Sequence, residues 1–162
     1  MTKVDSAIPD AGAMAPVFDL LAGDGRRVKL RDFKGRPVVI YFYPKDDTPG
    51  CTVEAKEFGD SMPEFDELGA TVLGISPDNT ASHCKFASKY DLTFPLLSDT
   101  EHAVAEKYGV WVEKSMYGRR YMGVQRATFL IDGAGRIAQA WPKVKPEGHA
   151  EQVLDAVRAL QK

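Results

Sequence analysis

Apolar runs without a clean alternation predict two strands in the first half of the chain. Residues 37–43 and 70–76 are rich in β-branched and aromatic side chains, as expected for strands that are buried on both faces. Apolar positions at helical spacing predict a helix over about 51–68, which Pro63 kinks or restarts, and a second helix over about 80–90. Strand and helix therefore alternate through this half of the chain.

The two ends of the chain add hairpins. Apolar segments at 18–21 and 27–30 flank Gly23-Asp24-Gly25, a turn sequence that predicts an N-terminal β-hairpin. The later pattern predicts a short strand at 94–99, a short helix at 101–108, a hairpin of strands at 125–132 and 136–141, and an amphipathic helix at 147–160. This order predicts an α/β fold with a central mixed β-sheet flanked by helices on both faces.

Composition and charge set limits without identifying a function. The 162 residues are 44% apolar, enough for a full core in one domain spanning 1–162. A net charge of −2 with mixed signs argues against nucleic acid or an acidic membrane surface as a partner. Residues 1–10 show no export signal and no segment is long and apolar enough to span a bilayer, so a cytoplasmic location is expected. The two cysteines are then expected to be thiols.

Cys51 carries the clearest candidate chemistry. It stands where the strand at 37–43 has ended and, after a short loop, the next helix begins. Unpaired N–H groups and the positive end of the dipole at a helix N-terminus favour thiolate over thiol, which makes this cysteine a candidate nucleophile. A cysteine near a helix start is also commonly an inert buried thiol, and the position alone leaves that interpretation open.

The sequence around Cys51 resembles that of the peroxiredoxins, a family with a thioredoxin-like fold. The resemblance rests on Pro44-x-x-x-Thr48-x-x-Cys51 and extends from about residue 18 to residue 160. The segments YPKDDTPGCT at 43–52 and RATFLID at 126–132 resemble the peroxiredoxin Q branch, also called bacterioferritin comigratory protein. The resemblance implies a thioredoxin-like fold and a thiol peroxidase that reduces hydrogen peroxide and organic hydroperoxides.

The resemblance assigns roles that the chemistry of the side chains supports. Cys51 would be the peroxidatic residue, which attacks the O–O bond as a thiolate. The Thr48 hydroxyl can meet both the sulfur and a peroxide oxygen, and with Pro49 it is also expected to cap the helix. Arg126 is a permanent cation with a fork of donors, suited to stabilising the thiolate and orienting the peroxide, although an arginine at a strand start is more commonly a solvated charge.

The same motif includes supporting residues. Pro44 has a rigid ring and no N–H, so it is suited to shielding the thiolate from water. Gly50 allows the backbone to come close enough for its amide to donate. Glu54 lies in the first turn of the helix, where a carboxylate suits the dipole, and in similar proteins this residue helps to hold the active-site arginine. Asp46 and Asp47 are expected to be turn residues.

Cys84 is the candidate resolving cysteine, the thiol that condenses with the sulfenic acid left on the first cysteine. Many peroxiredoxin Q proteins carry it five residues after the peroxidatic one, where this chain has Lys56; others carry it on the following helix, as Cys84 would be. The resemblance implies an intramolecular Cys51–Cys84 disulfide, formed after local unfolding of the helix ends and reduced by thioredoxin or a similar dithiol. The alternative is a core cysteine on one helical face with Ala81 and Ala87.

Other functions fit the sequence less well. A thioredoxin-like disulfide oxidoreductase would carry Cys-x-x-Cys, and position 54 is a glutamate. A noncatalytic redox sensor could use the same pair of thiols. A cysteine hydrolase lacks support because His83, His102 and His149 show no paired motif and are expected at polar surface positions. No metal and no organic cofactor are expected, and a monomer is favoured over an oligomer.

Overall fold

The computed structural model describes residues 8–161. The prediction that residues 1–10 hold no export signal concerns in part residues 1–7, which lie outside the described residues. The strands are β1 (Asp19–Ala22), β2 (Arg27–Lys29), β3 (Val38–Phe42), β4 (Thr71–Ser76), β5 (Leu96–Ser98), β6 (Trp111–Met116), β7 (Arg119–Val124), β8 (Ala127–Ile131) and β9 (Ile137–Trp141). The α-helices are α1 (Pro49–Asp60), α2 (Met62–Glu67), α3 (Thr80–Lys89), α4 (Ala103–Lys107) and α5 (His149–Leu160).

One mixed sheet joins most of the described strands, in the order β2-β1-β5-β4-β3-β8-β9. Its centre is parallel, because β4 pairs in parallel with both β3 and β5. Its edges are antiparallel, with β8 beside β3, β9 beside β8, and the β1–β2 hairpin beside β5. Every residue of β3 and β8 is buried, which explains the lack of alternation in their sequences. The predicted mixed sheet and N-terminal hairpin are confirmed.

Two apolar clusters lie on opposite faces of this sheet. The first contains Phe58 of α1, Phe65 of α2, Phe86 of α3 and Val153 of α5, so these four helices share one layer. The second contains Val104 of α4 together with buried residues of the N-terminal hairpin. The helices that carry the two cysteines, α1 and α3, therefore pack on the same face of the sheet.

Some element boundaries differ from the predicted ones. The helix predicted at 51–68 is split into α1 and α2 at Ser61, and Pro63 lies in the first turn of α2, as expected of a proline that restarts a helix. The short helix predicted at 101–108 covers only Ala103–Lys107, because the Asp99 carboxylate accepts the backbone N–H groups of Val104 and Ala105 and fixes its start.

The antiparallel pair β6–β7 is an element that the sequence pattern does not predict. Its strands are largely exposed and carry charges of both signs, including Glu113, Lys114, Arg119 and Arg120. A two-stranded ribbon without a buried face leaves little alternation to detect. Among the described residues, no helix is long and apolar enough to cross a membrane.

Candidate active site

Cys51 is buried at the start of α1, directly after the loop that leaves the central strand β3. Thr48 is the N-cap residue with an extended backbone, Pro49 occupies the first helical position, and the Thr48 carbonyl accepts the first helical hydrogen bond from Thr52 at 2.8 Å. Cys51 is only 1% exposed. The thiol thus lies in the first turn of the helix, where unpaired N–H groups and the helix dipole stabilise a thiolate.

Arg126 reaches this thiol from the segment between β7 and β8. Its Nη2 donates to the Cys51 Sγ at 3.4 Å, and its Nη1 donates to Glu54 Oε1 at 2.7 Å. The Arg126 side chain is 15% exposed, so the interpretation of Arg126 as a solvated surface charge is wrong. Gly50 makes room for it, since a Cβ at that position would lie 3.1 Å from Arg126 Nη2. The two terminal nitrogens of the guanidinium therefore donate hydrogen bonds to a carboxylate and to the sulfur at the same time.

Glu54 is the buried anchor of that arginine. Its side chain is fully buried, and none of the described residues donates a hydrogen bond to its Oε2. Burial raises the pKa of Glu54 from 4.5 to about 7, although the nearby Arg126 charge acts in the opposite direction. The predicted contact between this glutamate and the active-site arginine is present, and the carboxyl group titrates close to neutral pH.

The raised pKa of Glu54 predicts a pH-dependent term in the stability of the protein. A carboxyl group that holds its proton more tightly in the folded state contributes stability that is fully present below its unfolded pKa of 4.5 and is lost as the pH rises through its folded pKa of about 7. The full term corresponds to roughly 3 kcal/mol in the free energy of unfolding. Denaturant unfolding of the wild type and of Glu54→Gln between pH 4 and pH 8 should therefore diverge.

In that comparison the glutamine of the variant stands in for the neutral acid, so the variant should lack the decline that the wild type shows between about pH 4.5 and pH 7. Glu67→Gln is the control, because Glu67 is an exposed glutamate on the neighbouring helix α2. Parallel pH curves for the wild type and Glu54→Gln would show that the buried carboxyl titrates normally.

Thr48 and Pro44 lie in the loop before the helix, and both are half-buried. The Thr48 hydroxyl donates to the Lys45 carbonyl at 2.9 Å and makes no capping hydrogen bond. Thr48 is thus the N-cap residue, as predicted, but its side chain does not cap the helix, because the loop turns the hydroxyl towards its own backbone. The Thr48 hydroxyl proton is therefore engaged in the hydrogen bond to Lys45, and the lone pairs of the hydroxyl oxygen remain free to accept a hydrogen bond.

The β6–β7 ribbon contributes a cation to the surroundings of the site that the sequence pattern does not indicate. Lys114 of β6 is half-buried, with its side chain lying along the Cα of Gly123 on the paired strand. Burial and the charge of Arg126 lower the pKa of Lys114, while a charge on Cys51 acts in the opposite direction. Lys114 is therefore a second cation, besides Arg126, whose pKa responds to a charge on Cys51.

Cys84 stands apart from this cluster. It lies on α3 with an exposed side chain, and both cysteines are free thiols. The helix turns His83 and Phe86 into the core instead. The alternative interpretation of Cys84 as a core cysteine is therefore wrong.

Two of the three histidines are buried, so the prediction that all of them occupy polar surface positions is wrong. His83 has no exposed surface, and its ring contacts Asp46 and the Leu97 carbonyl. His149 is 2% exposed and its Nε2 lies 2.8 Å from the Thr128 hydroxyl. Burial lowers the pKa of His149. Their partners are distant in sequence, so no local pattern marks these residues as buried.

Comparison with known proteins decides between the functions that this geometry allows. Residues 11–140 match the AhpC/TSA family. Peroxiredoxin Bcp of Bacillus subtilis is 46% identical over 151 residues, which cover 93% of this chain and 96% of that protein. The chain is a peroxiredoxin of the AhpC/TSA family.

Solved structures of other peroxiredoxins agree with this fold. Peroxiredoxin Q of Xanthomonas campestris superposes with a TM-score of 0.86 at 46% identity, covering 90% of this chain and 92% of the other. A second Xanthomonas structure, with a TM-score of 0.88 at 43% identity over 94% of this chain and all of that one, concerns the alkyl peroxide reduction activity of its bacterioferritin comigratory protein. Structures of two cysteine-to-serine mutants of the Xanthomonas peroxiredoxin Q have also been solved. More residues separate the two mutated cysteines than separate Cys51 and Cys84, and the difference corresponds to about one turn of a helix.

As a peroxiredoxin, the protein is a thiol peroxidase. The predicted family, thioredoxin-like fold and enzyme class are confirmed. The noncatalytic sensor, the disulfide oxidoreductase and the cysteine hydrolase do not describe the protein. Peroxiredoxins use peroxide substrates and thioredoxin-type reductants.

Proposed function

We propose that Cys51 is the peroxidatic cysteine of this peroxiredoxin. The observation that carries the proposal is the contact from Arg126 Nη2 to the Cys51 Sγ at 3.4 Å, made by a guanidinium that Glu54 anchors. The thiolate attacks one peroxide oxygen, an S–O bond forms and the O–O bond breaks. The sulfur is oxidised to a sulfenic acid, and the leaving oxygen takes up a proton to give water or an alcohol. Arg126 stabilises the charge on the sulfur before attack and on the departing oxygen during it.

In this mechanism the loop before Cys51 orients the substrate. The Thr48 hydroxyl donates its own proton to the Lys45 carbonyl. Its oxygen therefore accepts the O–H of the peroxide and holds the substrate beside the sulfur. Pro44 limits access of water to the thiolate from the same loop. The Gly50 backbone amide, at the crowded approach to Arg126, donates to the peroxide. Both hydrogen peroxide and organic hydroperoxides present the same O–O–H unit to these groups.

We propose that Cys84 resolves the oxidised enzyme. The Cys84 thiolate attacks the sulfenic sulfur of Cys51, an S–S bond forms, the S–O bond breaks, and the hydroxide leaves as water after protonation. Thioredoxin or a similar dithiol then reduces the disulfide by thiol–disulfide exchange. An exposed Cys84 supports this role, because a resolving thiol must be able to leave its position.

Replacing Cys84 by serine should stop turnover with thioredoxin while leaving one round of peroxide reduction intact. The first step needs only Cys51, whereas recycling needs the second thiol. Peroxide consumption with a thioredoxin system measures turnover, and non-reducing peptide mapping after one equivalent of peroxide detects the Cys51–Cys84 disulfide. Ser88→Ala, an exposed change on the same helix, is the control. Unchanged turnover in Cys84→Ser would replace the resolving role with a one-cysteine cycle.

We further propose that residues 1–162 form one catalytic domain that acts as a monomer in the cytoplasm. Two free thiols and the absence of a disulfide among the described residues suit a reducing compartment. Sedimentation of the reduced and oxidised protein tests the oligomeric state, and a dimer in either form would overturn that part of the proposal.

A further inference from the structure

A buried cluster of hydrogen bonds around Asp46 joins the loop before Cys51 to the start of α3. The Asp46 carboxylate accepts the Tyr43 hydroxyl at 2.6 Å on Oδ1, and on Oδ2 it accepts the Ser82 hydroxyl at 2.7 Å and meets His83 Nδ1 at 2.8 Å. We call these residues, Tyr43, Asp46, Ser82 and His83, the Asp46 clamp. The side chains of Asp46 and His83 are 3% and 0% exposed. The clamp is therefore a hydrogen-bonded polar cluster that is buried except at Ser82, which is partly exposed.

His83 also links the clamp to the neighbouring strand β5. Its Nδ1 faces the Asp46 carboxylate and its Nε2 faces the Leu97 carbonyl at 3.0 Å, and both of these partners are acceptors. Because a buried polar group that loses its hydrogen-bond partner is costly, replacing the Asp46 carboxylate should loosen the start of α3 markedly.

Asp46, Asp78 and His83 lie close enough together for their side-chain oxygen and nitrogen atoms to resemble the ligands of a metal ion. Hydrogen bonds within the cluster account for this close approach. Asp78 Oδ2 accepts the Asp46 backbone N–H at 2.8 Å and the Ser76 hydroxyl at 2.7 Å. The carboxylates are therefore satisfied by protein donors, and the cluster is a structural link rather than a cation site.

The position of the clamp relates it to both thiols. Asp46 lies in the loop that leads to Thr48 and Cys51, and Ser82 and His83 immediately precede Cys84 in the first turns of α3. Cys51 is buried beside Arg126 whereas Cys84 is exposed on a different helix, so the two sulfurs cannot bond in this conformation. The start of α3 must move for the disulfide to form, and the clamp is what holds that start against the Cys51 loop.

We propose that the Asp46 clamp sets the rate at which Cys84 reaches oxidised Cys51. The proposal rests on the resolving role of Cys84. While the clamp is closed, the sulfenic acid on Cys51 stays exposed to a second peroxide, which would oxidise it further to a sulfinic acid. When the clamp opens, the first turns of α3 unfold locally, and the Cys84 thiolate forms the S–S bond with loss of water. Asp46, Ser82 and His83 are thus positioning residues that act through Cys84.

Two variants of graded severity test the clamp. Ser82→Ala removes one hydrogen bond to Asp46 from a partly exposed position, and Asp46→Asn removes the charge while keeping the shape of the side chain. Asp99→Asn is the matched control, because Asp99 is also a buried carboxylate that holds a helix start, but that helix is α4 on the other face of the sheet. The measurements are rapid-quench kinetics of the Cys51–Cys84 disulfide after one equivalent of hydrogen peroxide, hydrogen exchange of the 80–89 amides in the reduced protein, and sulfinic acid yield in excess peroxide.

We expect disulfide formation to accelerate severalfold in Ser82→Ala and about tenfold or more in Asp46→Asn, as loss of hydrogen bonds to a charged group implies. Amide exchange at 80–89 should accelerate in step, sulfinic acid yield should fall, and Asp99→Asn should match the wild type in all three. If Asp46 only stabilised the fold, Asp99→Asn would accelerate disulfide formation as much as Asp46→Asn, provided that both variants lowered the melting temperature equally.

The two proposals fail in different ways. If the wild type forms no Cys51–Cys84 disulfide, the resolving role is wrong and the clamp loses its function with it. If the disulfide forms but Ser82→Ala and Asp46→Asn leave its rate unchanged, the clamp alone is overturned. Because Ser82 is partly exposed, Ser82→Ala keeps the test decisive even if Asp46→Asn does not fold.

Discussion

The Cys51→Ser variant should lose peroxide reduction completely, in single turnover as well as in the presence of thioredoxin. Serine keeps the size and the position of the side chain, but its hydroxyl stays protonated at neutral pH, so the site holds no anionic nucleophile. Arg126 would then face a neutral oxygen instead of the sulfur that it contacts at 3.4 Å. Hydrogen peroxide consumption by stoichiometric protein, followed in the absence of any reductant, measures this directly.

Cys84→Ser is the matched control for that experiment, since it makes the same chemical change at the other thiol. It should consume one equivalent of peroxide at the wild-type rate, because the contacts of Arg126 with Cys51 and Glu54 do not involve α3. Near-ultraviolet circular dichroism of both variants should match the wild type. Single-turnover reduction in Cys51→Ser, or its loss in Cys84→Ser alone, would move the peroxidatic role to Cys84.

Local patterns in the sequence predicted the frame that carries Cys51. The apolar runs at 37–43 and 70–76 are the central strands β3 and β4, because strands buried on both faces leave unbroken apolar segments. The start of the helix near Cys51 also follows from adjacent residues, since Pro49 suits only the first turn. The partnership with Arg126 is different. It joins residues 75 positions apart, and only the resemblance to peroxiredoxins indicated it.

Other parts of the site could not be predicted from local patterns in the sequence. His83 is separated from Asp46 by 37 positions, and each residue taken alone is a common surface type, so their burial as a pair depends on how α3 packs against the loop. The β6–β7 ribbon is likewise hidden, because its exposed strands lack an apolar face. The pairing of His83 with Asp46 is a tertiary interaction that overrides the local preference of the residues, whereas the ribbon pairs residues that are close in sequence.

Replacing Arg126 by glutamine should slow the reaction of Cys51 with peroxide by about 100-fold to 1000-fold, the usual cost of removing one donor that stabilises developing charge. Arg126→Lys should recover only part of that loss. A lysine keeps the charge, but it lacks the fork with which Arg126 contacts Glu54 at 2.7 Å and Cys51 at 3.4 Å together. The second-order rate constant for hydrogen peroxide, measured by stopped flow, reports this step. Arg158→Gln, at an exposed arginine of α5, should match the wild type.

A double-mutant cycle of Glu54 and Arg126 tests whether Glu54 acts through the arginine. If Glu54 acts by holding the guanidinium, Glu54→Gln alone should slow the peroxide step, and adding it to Arg126→Gln should cost nothing further. The double variant also removes a concern about folding, because without Arg126 the fully buried Glu54 would have no cation beside it, whereas the glutamine that replaces it carries no charge. Additive losses would instead mean that Glu54 affects the thiolate independently of the arginine. A wild-type rate in Arg126→Lys would mean that positive charge alone, without the geometry of the fork, activates Cys51.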